Sequence, residues 1–210
     1  MNETNYNPQM KRRFRGYLPV VIDIETAGFD AEKNAVLEIA AVILKINDAG
    51  FISPAETIAY NVLPFAGAVL DPKALAFNGI LEPESALRKA ETETNALMAL
   101  FRPIRAALKA SDCKKAILTG HNAAFDLSFL KAAIRRCKIK RDPFHSFSTF
   151  DTVTLSGLAY QQTVLARAIA VADIEWDSSQ AHTAVYDAEK TAELFCKIIN
   201  QWQTYTDSAS

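Results

Sequence analysis

The chain has 210 residues, half of them hydrophobic and 22% charged, which is the size and balance of one globular domain and excludes a disordered chain. Its 23 Lys and Arg against 24 Asp and Glu leave a net charge of −1, so bulk charge neither demands nor excludes nucleic acid as a partner. No apolar run approaches the roughly 20 residues that cross a bilayer, the longest being Ile39 to Leu44, and no membrane partner is expected.

Leu18 to Thr26, β-branched and bounded by Pro19, reads as a strand, and Leu37 to Ile46 as a second. Asn47-Asp48-Ala49-Gly50 has the turn chemistry of a hairpin into a third strand, Phe51 to Leu63, interrupted near Pro54. Asp71-Pro72 resembles an N-cap followed by proline at the first helical position, with Gly79 as the stop. Thr94 to Lys109 has helical periodicity through Leu97, Leu100, Phe101, Ile104 and Leu108, with a kink expected at Pro103. Ala116 to His121 reads as a strand, Phe125 to Cys137 as a helix and Phe147 to Val153 as a strand. Helices over Thr163–Ala172 and Ala184–Trp202 complete the chain. Hairpin-joined strands followed by alternating strands and helices imply an α/β protein, a mixed five-stranded sheet covered by helices.

The expected organisation is one domain over residues 16–203, with a flexible basic tail over 1–15 and a flexible tail over 204–210. The start is polar through Arg15 and has no apolar core after its charges, unlike a signal peptide. Cys113, Cys137 and Cys196 form no Cys-x-x-Cys pair and read as small hydrophobes in a reducing compartment, so a cytoplasmic location is expected. Charge is clustered: Lys11, Arg12, Arg13 and Arg15 in one stretch, Arg135, Arg136, Lys138, Lys140 and Arg141 in another, and acids at Glu82, Glu84, Glu91 and Glu93.

Asp23 and Glu25 stand two apart in a strand, so they project from one face while Ile24 takes the other. Adjacent like charges repel, and a cation between them turns that cost into binding. Taken alone, an Asp-x-Glu pair more often marks a solvated strand end than a metal site. Asp126, in His121-Asn122-Ala123-Ala124-Phe125-Asp126, falls in the first turn of a helix, where the helix dipole alone accommodates an acid. His182 and Asp187 are five positions apart, roughly 140° around a helix, and cannot share a helical face. The spacing predicts Asp187 on the final helix and His182 in the loop before it.

Asp23-x-Glu25, Asp126 and His182-x-x-x-x-Asp187, in this chain order, resemble the DEDDh exonuclease superfamily and, within it, the ribonuclease T family. The resemblance extends from about Phe14 to Trp202 and is carried by VVIDIETAGF, LEIAA, LAFNGI, HNAAFD, DPFHSFSTFDT and SSQAHTAVYDAEKTAELF. It implies a ribonuclease H-like fold, two divalent metal ions and 3′-to-5′ exonuclease activity. Asp23 is then the ligand shared by both ions, Glu25, Asp126 and Asp187 complete the coordination, and His182 takes a proton from the attacking water. His121 and His145 read as structural. Phosphodiester hydrolysis needs on the order of 20 kcal/mol of barrier lowering. A general base supplies only about 10²–10⁴-fold, so His182 cannot carry it alone. Two ions about 4 Å apart activate water and hold the leaving oxygen. Hard carboxylate oxygens suit Mg²⁺, with Mn²⁺ as a substitute.

Four of the 12 phenylalanines lie beside these motifs in sequence: Phe29, Phe77, Phe125 and Phe147. Aromatic faces stack unpaired bases at about 1–3 kcal/mol each without reading their identity, although any one phenylalanine is ordinarily core material. Members of the family are similar at all four positions and grip terminal bases with them. Their homodimer lets the basic patch of one subunit present the strand to the other, which makes Arg13, Arg15, Lys109, Lys115 and Lys140 candidates. Lys73 stands where an acid is expected in close relatives, which leaves the base preference open. The resemblance thus implies an exoribonuclease that trims the 3′ ends of transfer RNA and other stable RNAs. It would release nucleoside 5′-monophosphates and act on single-stranded DNA as well. The alternatives are a DNA proofreading or repair exonuclease and a catalytically silent single-strand-binding module, which usually lacks an acid or histidine; here all five are present.

Overall fold

The computed structural model describes residues 7–78 and 89–208. Tyr17–Thr26 (β1), Val36–Ile46 (β2) and Ile52–Leu63 (β3) form an antiparallel meander, and Glu91–Thr92 (β4) lies parallel to the end of β3. Lys115–Gly120 (β5) pairs parallel with β1, and Phe144–Asp151 (β6) pairs parallel with β5, giving the order β4-β3-β2-β1-β5-β6. Among the described residues the sheet therefore has six strands, one more than expected. The extra one, β4, is two residues long, too short for any period-2 pattern to announce it.

Among the described residues the helices are Met10–Arg13 (α1), Pro72–Phe77 (α2), Glu93–Ala110 (α3), Ala123–Arg136 (α4), Thr152–Tyr160 (α5), Leu165–Val171 (α6) and Ala184–Ser208 (α7). Leu18, Val20, Val21 and Ile22 of β1 are all buried, as a central strand requires when helices cover both faces. On one face Ile24 and Ile39 meet Leu97 of α3 and Leu130 and Ala133 of α4. On the other, α7 lies across β1, β2 and β3. Asp71 caps α2 as its sequence suggests, accepting a hydrogen bond from the Lys73 amide at 2.8 Å. Gly79, Glu82 and Glu84 lie outside the described residues.

Two prolines fall within the elements expected of them, and one strand ends earlier than expected. The irregularity at Pro54 is a slip in the β2–β3 register between Ile43 and Leu44, where proline has no amide to give the ladder. Pro103 sits inside α3 without ending it. The strand expected through Val153 stops at Asp151, whose carboxylate accepts from the Val153 amide at 2.8 Å and starts α5 instead. The basic N-terminal stretch is docked from Asn7 onward: Met10 is in the core, and Arg13 Nη1 donates to Gln203 Oε1 at 2.5 Å. Burying Met10 contributes about 2 kcal/mol toward holding the segment in place. Among the described residues no helix is long and apolar enough to cross a membrane.

Candidate active site

β1 carries Asp23 and Glu25 on one face at the end where its pairing with β2 becomes irregular, just past Glu25. Opposite them β2 places Ala40, too small to fill the space before Asp23, and Glu38 before Glu25. The first turn of α7 brings in Asp187, and carboxylate oxygens of Asp23, Glu25 and Asp187 lie within 4.8 Å of one another. Asp126 is buried in the first turn of α4, close enough to Asp23 for its charge to be felt there. Gly120 lets α4 come this near. A β-carbon there would stand 3.2 Å from the Ile22 carbonyl oxygen and 3.3 Å from Asp126 Oδ2.

Four acids packed this way hold their protons too tightly for ordinary surface carboxylates. Burial, then the charges of Asp126, Glu25, Asp187 and Glu38, push Asp23 well above its usual range. Burial and the charges of Asp187 and Glu38 raise Glu25 to about 7. Burial also raises Asp126, against the opposing hydrogen bonds of its own amide and that of Ile24. Asp187 is raised by burial and pulled back by the amide and charge of His182. Its Oδ1 is buried with no hydrogen-bond partner. Mutual repulsion, an orphaned oxygen and an all-oxygen donor set fit a divalent cation.

His182 occupies the turn before α7 with φ +66°, exposed, as the helical arithmetic requires. Its amide donates to Asp187 Oδ2 at 3.3 Å, and its ring centroid lies 4.6 Å from that of Phe77. Beside the acids opens a cleft of about 380 Å³ lined by Glu25, Phe29, Lys73, Phe77, Asn78 and Phe125. Phe29 is 86% exposed and Phe77 67%, an unusual exposure for large apolar rings. The loop carrying Phe29 is fixed by Asn34, which bonds the Asp30 amide and the Val69 carbonyl, each at 2.8 Å. Gly28, at φ +151°, leaves that asparagine its room, since a β-carbon would fall 2.5 Å from it.

Residues 20–195 match the RNase T family, described as exonucleases. The chain belongs to this exonuclease family. It is 57% identical over 194 residues to ribonuclease T of Vibrio parahaemolyticus, covering 92% of this chain and 91% of that one. It is 54% identical over 203 residues to ribonuclease T of Vibrio cholerae, covering 97% and 91%. In fold it is similar to E. coli exonuclease I in complex with a dT13 oligonucleotide (TM-score 0.67, 18% identity). It is likewise similar to a 3′-exonuclease that recognises a histone mRNA stem-loop (TM-score 0.68, 18% identity). The superposition covers 91% of this chain but only 43% of exonuclease I, and 88% of this chain with 82% of the 3′-exonuclease. These two likenesses show a ribonuclease H-like fold.

The exonuclease fold does not gather every candidate residue at the acids. Phe147, 77% exposed, packs on His145, which packs on Tyr17 at the start of β1. Six residues of strand, roughly 20 Å, separate Tyr17 from Asp23. Arg15, Lys109, Lys115 and Lys140 belong to that same far end, where β1, β5 and β6 begin. Arg13 is turned toward α7 by Gln203 and the Ile199 carbonyl. His121 holds Thr152 Oγ1 and the Thr163 carbonyl, consistent with a structural place. Two acids escaped the sequence reading. Glu38 had one signal, a charge midway along an apolar strand, and Asp151 had its place just ahead of a short helix.

Proposed function

We propose that the chain is a metal-dependent 3′-to-5′ exoribonuclease that shortens RNA one nucleotide at a time, releasing nucleoside 5′-monophosphates. The observation that carries this is the meeting of Asp23, Glu25 and Asp187 within 4.8 Å, with a histidine and an aromatic cleft beside them. Asp23, Glu25, Asp126 and Asp187 would hold two Mg²⁺ ions, Asp23 touching both. When bound, such ions lower the pKa of water and neutralise charge on the phosphate. His182, exposed in the turn before α7, takes the proton of the attacking water at a ring nitrogen. Phe29, Phe77 and Phe125 stack the last bases, a grip that does not depend on base identity and needs an unpaired end.

Similarity to proteins named ribonuclease T over nearly the whole chain supports RNA as substrate. The 3′ ends of transfer RNA and other stable RNAs would be its foremost substrates, with single-stranded DNA also accepted. The separation of acids from basic residues supports a homodimer in which Arg13, Arg15, Lys109, Lys115, Lys140 and Phe147 of one subunit present the strand to the other subunit's acids. The place of action is the cytoplasm, and residues 16–203 make up the exonuclease domain. A 5′-labelled RNA with a single-stranded 3′ end tests the reading. Magnesium should produce a ladder shortening from the 3′ end, abolished by chelator and by Asp23→Ala. Full activity of that variant, or loss from the 5′ end, defeats it.

A further inference from the structure

Glu38 takes no part in the chemistry above, yet it stands among the acids. The β1–β2 register sets it directly opposite Glu25. Like charges in that arrangement destabilise a sheet, so an acid here costs stability unless it does something else. Its Oε2 accepts a hydrogen bond from the Ala184 amide at 3.2 Å, across 146 positions of sequence. Ala184 opens α7, and the first amides of a helix have no partner within it. Thr183, placed to cap them, instead donates its hydroxyl to the Gln180 carbonyl at 2.9 Å. A negative group from β2 therefore serves the positive end of α7. Two residues before Ala184 stands His182, and three after it stands Asp187, which the His182 amide joins at 3.3 Å.

We propose that Glu38 is a positioning residue: its hydrogen bond to Ala184 fixes the start of α7 against β2, and so sets His182 and Asp187 against Asp23 and Glu25. The inference rests on the exonuclease reading for what those residues do, but not for the contact itself. The bond ends two residues from His182, whose backbone is left-handed at φ +66°.

Two measurements test it. In the metal-free protein, the Ala184 amide should exchange with solvent at least about tenfold faster in Glu38→Ala than in wild type, and Glu38→Gln, which keeps an acceptor, should restore protection. On single-stranded RNA with magnesium, Glu38→Ala should lower kcat about 10- to 100-fold, as loss of a support behind metal ligands does, with Glu38→Gln recovering most of it and KM little changed. If Glu38→Ala does not fold, Glu38→Gln decides alone. A protected Ala184 amide with near wild-type kcat upholds the role, and an unprotected amide or a collapsed kcat overturns it. Wild-type exchange at Ala184 in a folded Glu38→Ala variant also overturns it. A wild-type protein that fails to shorten RNA defeats the exonuclease reading and leaves amide exchange to judge Glu38.

Discussion

Glu25 keeps its proton to about pH 7 because it is buried beside Asp187 and Glu38, and Asp23, Asp126 and Asp187 are displaced in the same direction. Each binds its proton more tightly in the folded protein than in the unfolded chain. Without metal, their contribution to stability is therefore complete below the ordinary carboxylate range and lost as pH rises through the folded values. The metal-free protein should accordingly melt at a lower Tm near pH 8 than near pH 5.5, and magnesium should recover much of the difference at the higher pH by replacing the protons. Thermal unfolding in chelator and in magnesium measures both. Equal Tm at the two pH values, or no response to magnesium, would contradict the crowding of these acids.

At the scale of elements, one side chain organises two helices. Asp151, at the end of β6, accepts from Val153 at the start of α5, and from Asn122 and Ala123 at the start of α4 at 3.4 and 3.1 Å. Asp126 is in that first turn of α4, so its place depends on a cap it does not touch by hydrogen bond. Asp151→Ala should cost about 1–2 kcal/mol of stability, as lost caps do, and weaken magnesium binding as well. Chemical unfolding and a metal titration check it, and unaltered metal affinity would separate Asp151 from the site.

What was legible in sequence follows from the same local rules. The strand period placed Asp23 beside Glu25, and the helical period put His182 off α7 while leaving Asp187 on it, because each inference needs only one element. The neighbourhood of Phe147 was not legible. Only its place beside a motif in sequence and the family resemblance group it with the other three rings, whereas its position is set by the β5–β6 register and by contact with His145 at the opposite end of β1. Glu38 likewise gains its meaning only through pairing across strands and a contact 146 positions away. α5 carries no clear apolar stripe, and its start is announced only by Asp151.

Across the whole molecule, acids and stacking rings occupy one end of the parallel strands, and basic residues with Phe147 the other. If the ends cooperate between subunits of a homodimer, inactive chains of two kinds should rescue each other. Mixed Asp23→Ala and Arg15→Ala/Lys140→Ala chains, exchanged into one dimer, should regain activity that neither shows alone, since one intact acid site then faces one intact basic end. Absence of rescue in verified mixed dimers would return strand binding to a single chain.

The most direct measurement is a count of metal ions. Titrating the metal-free protein with Mn²⁺ in the presence of a nucleoside 5′-monophosphate should give about two ions per chain in wild type and a clear loss of binding in Asp23→Ala. No bound ion in the wild type, or binding untouched by Asp23→Ala, would contradict the carboxylate centre.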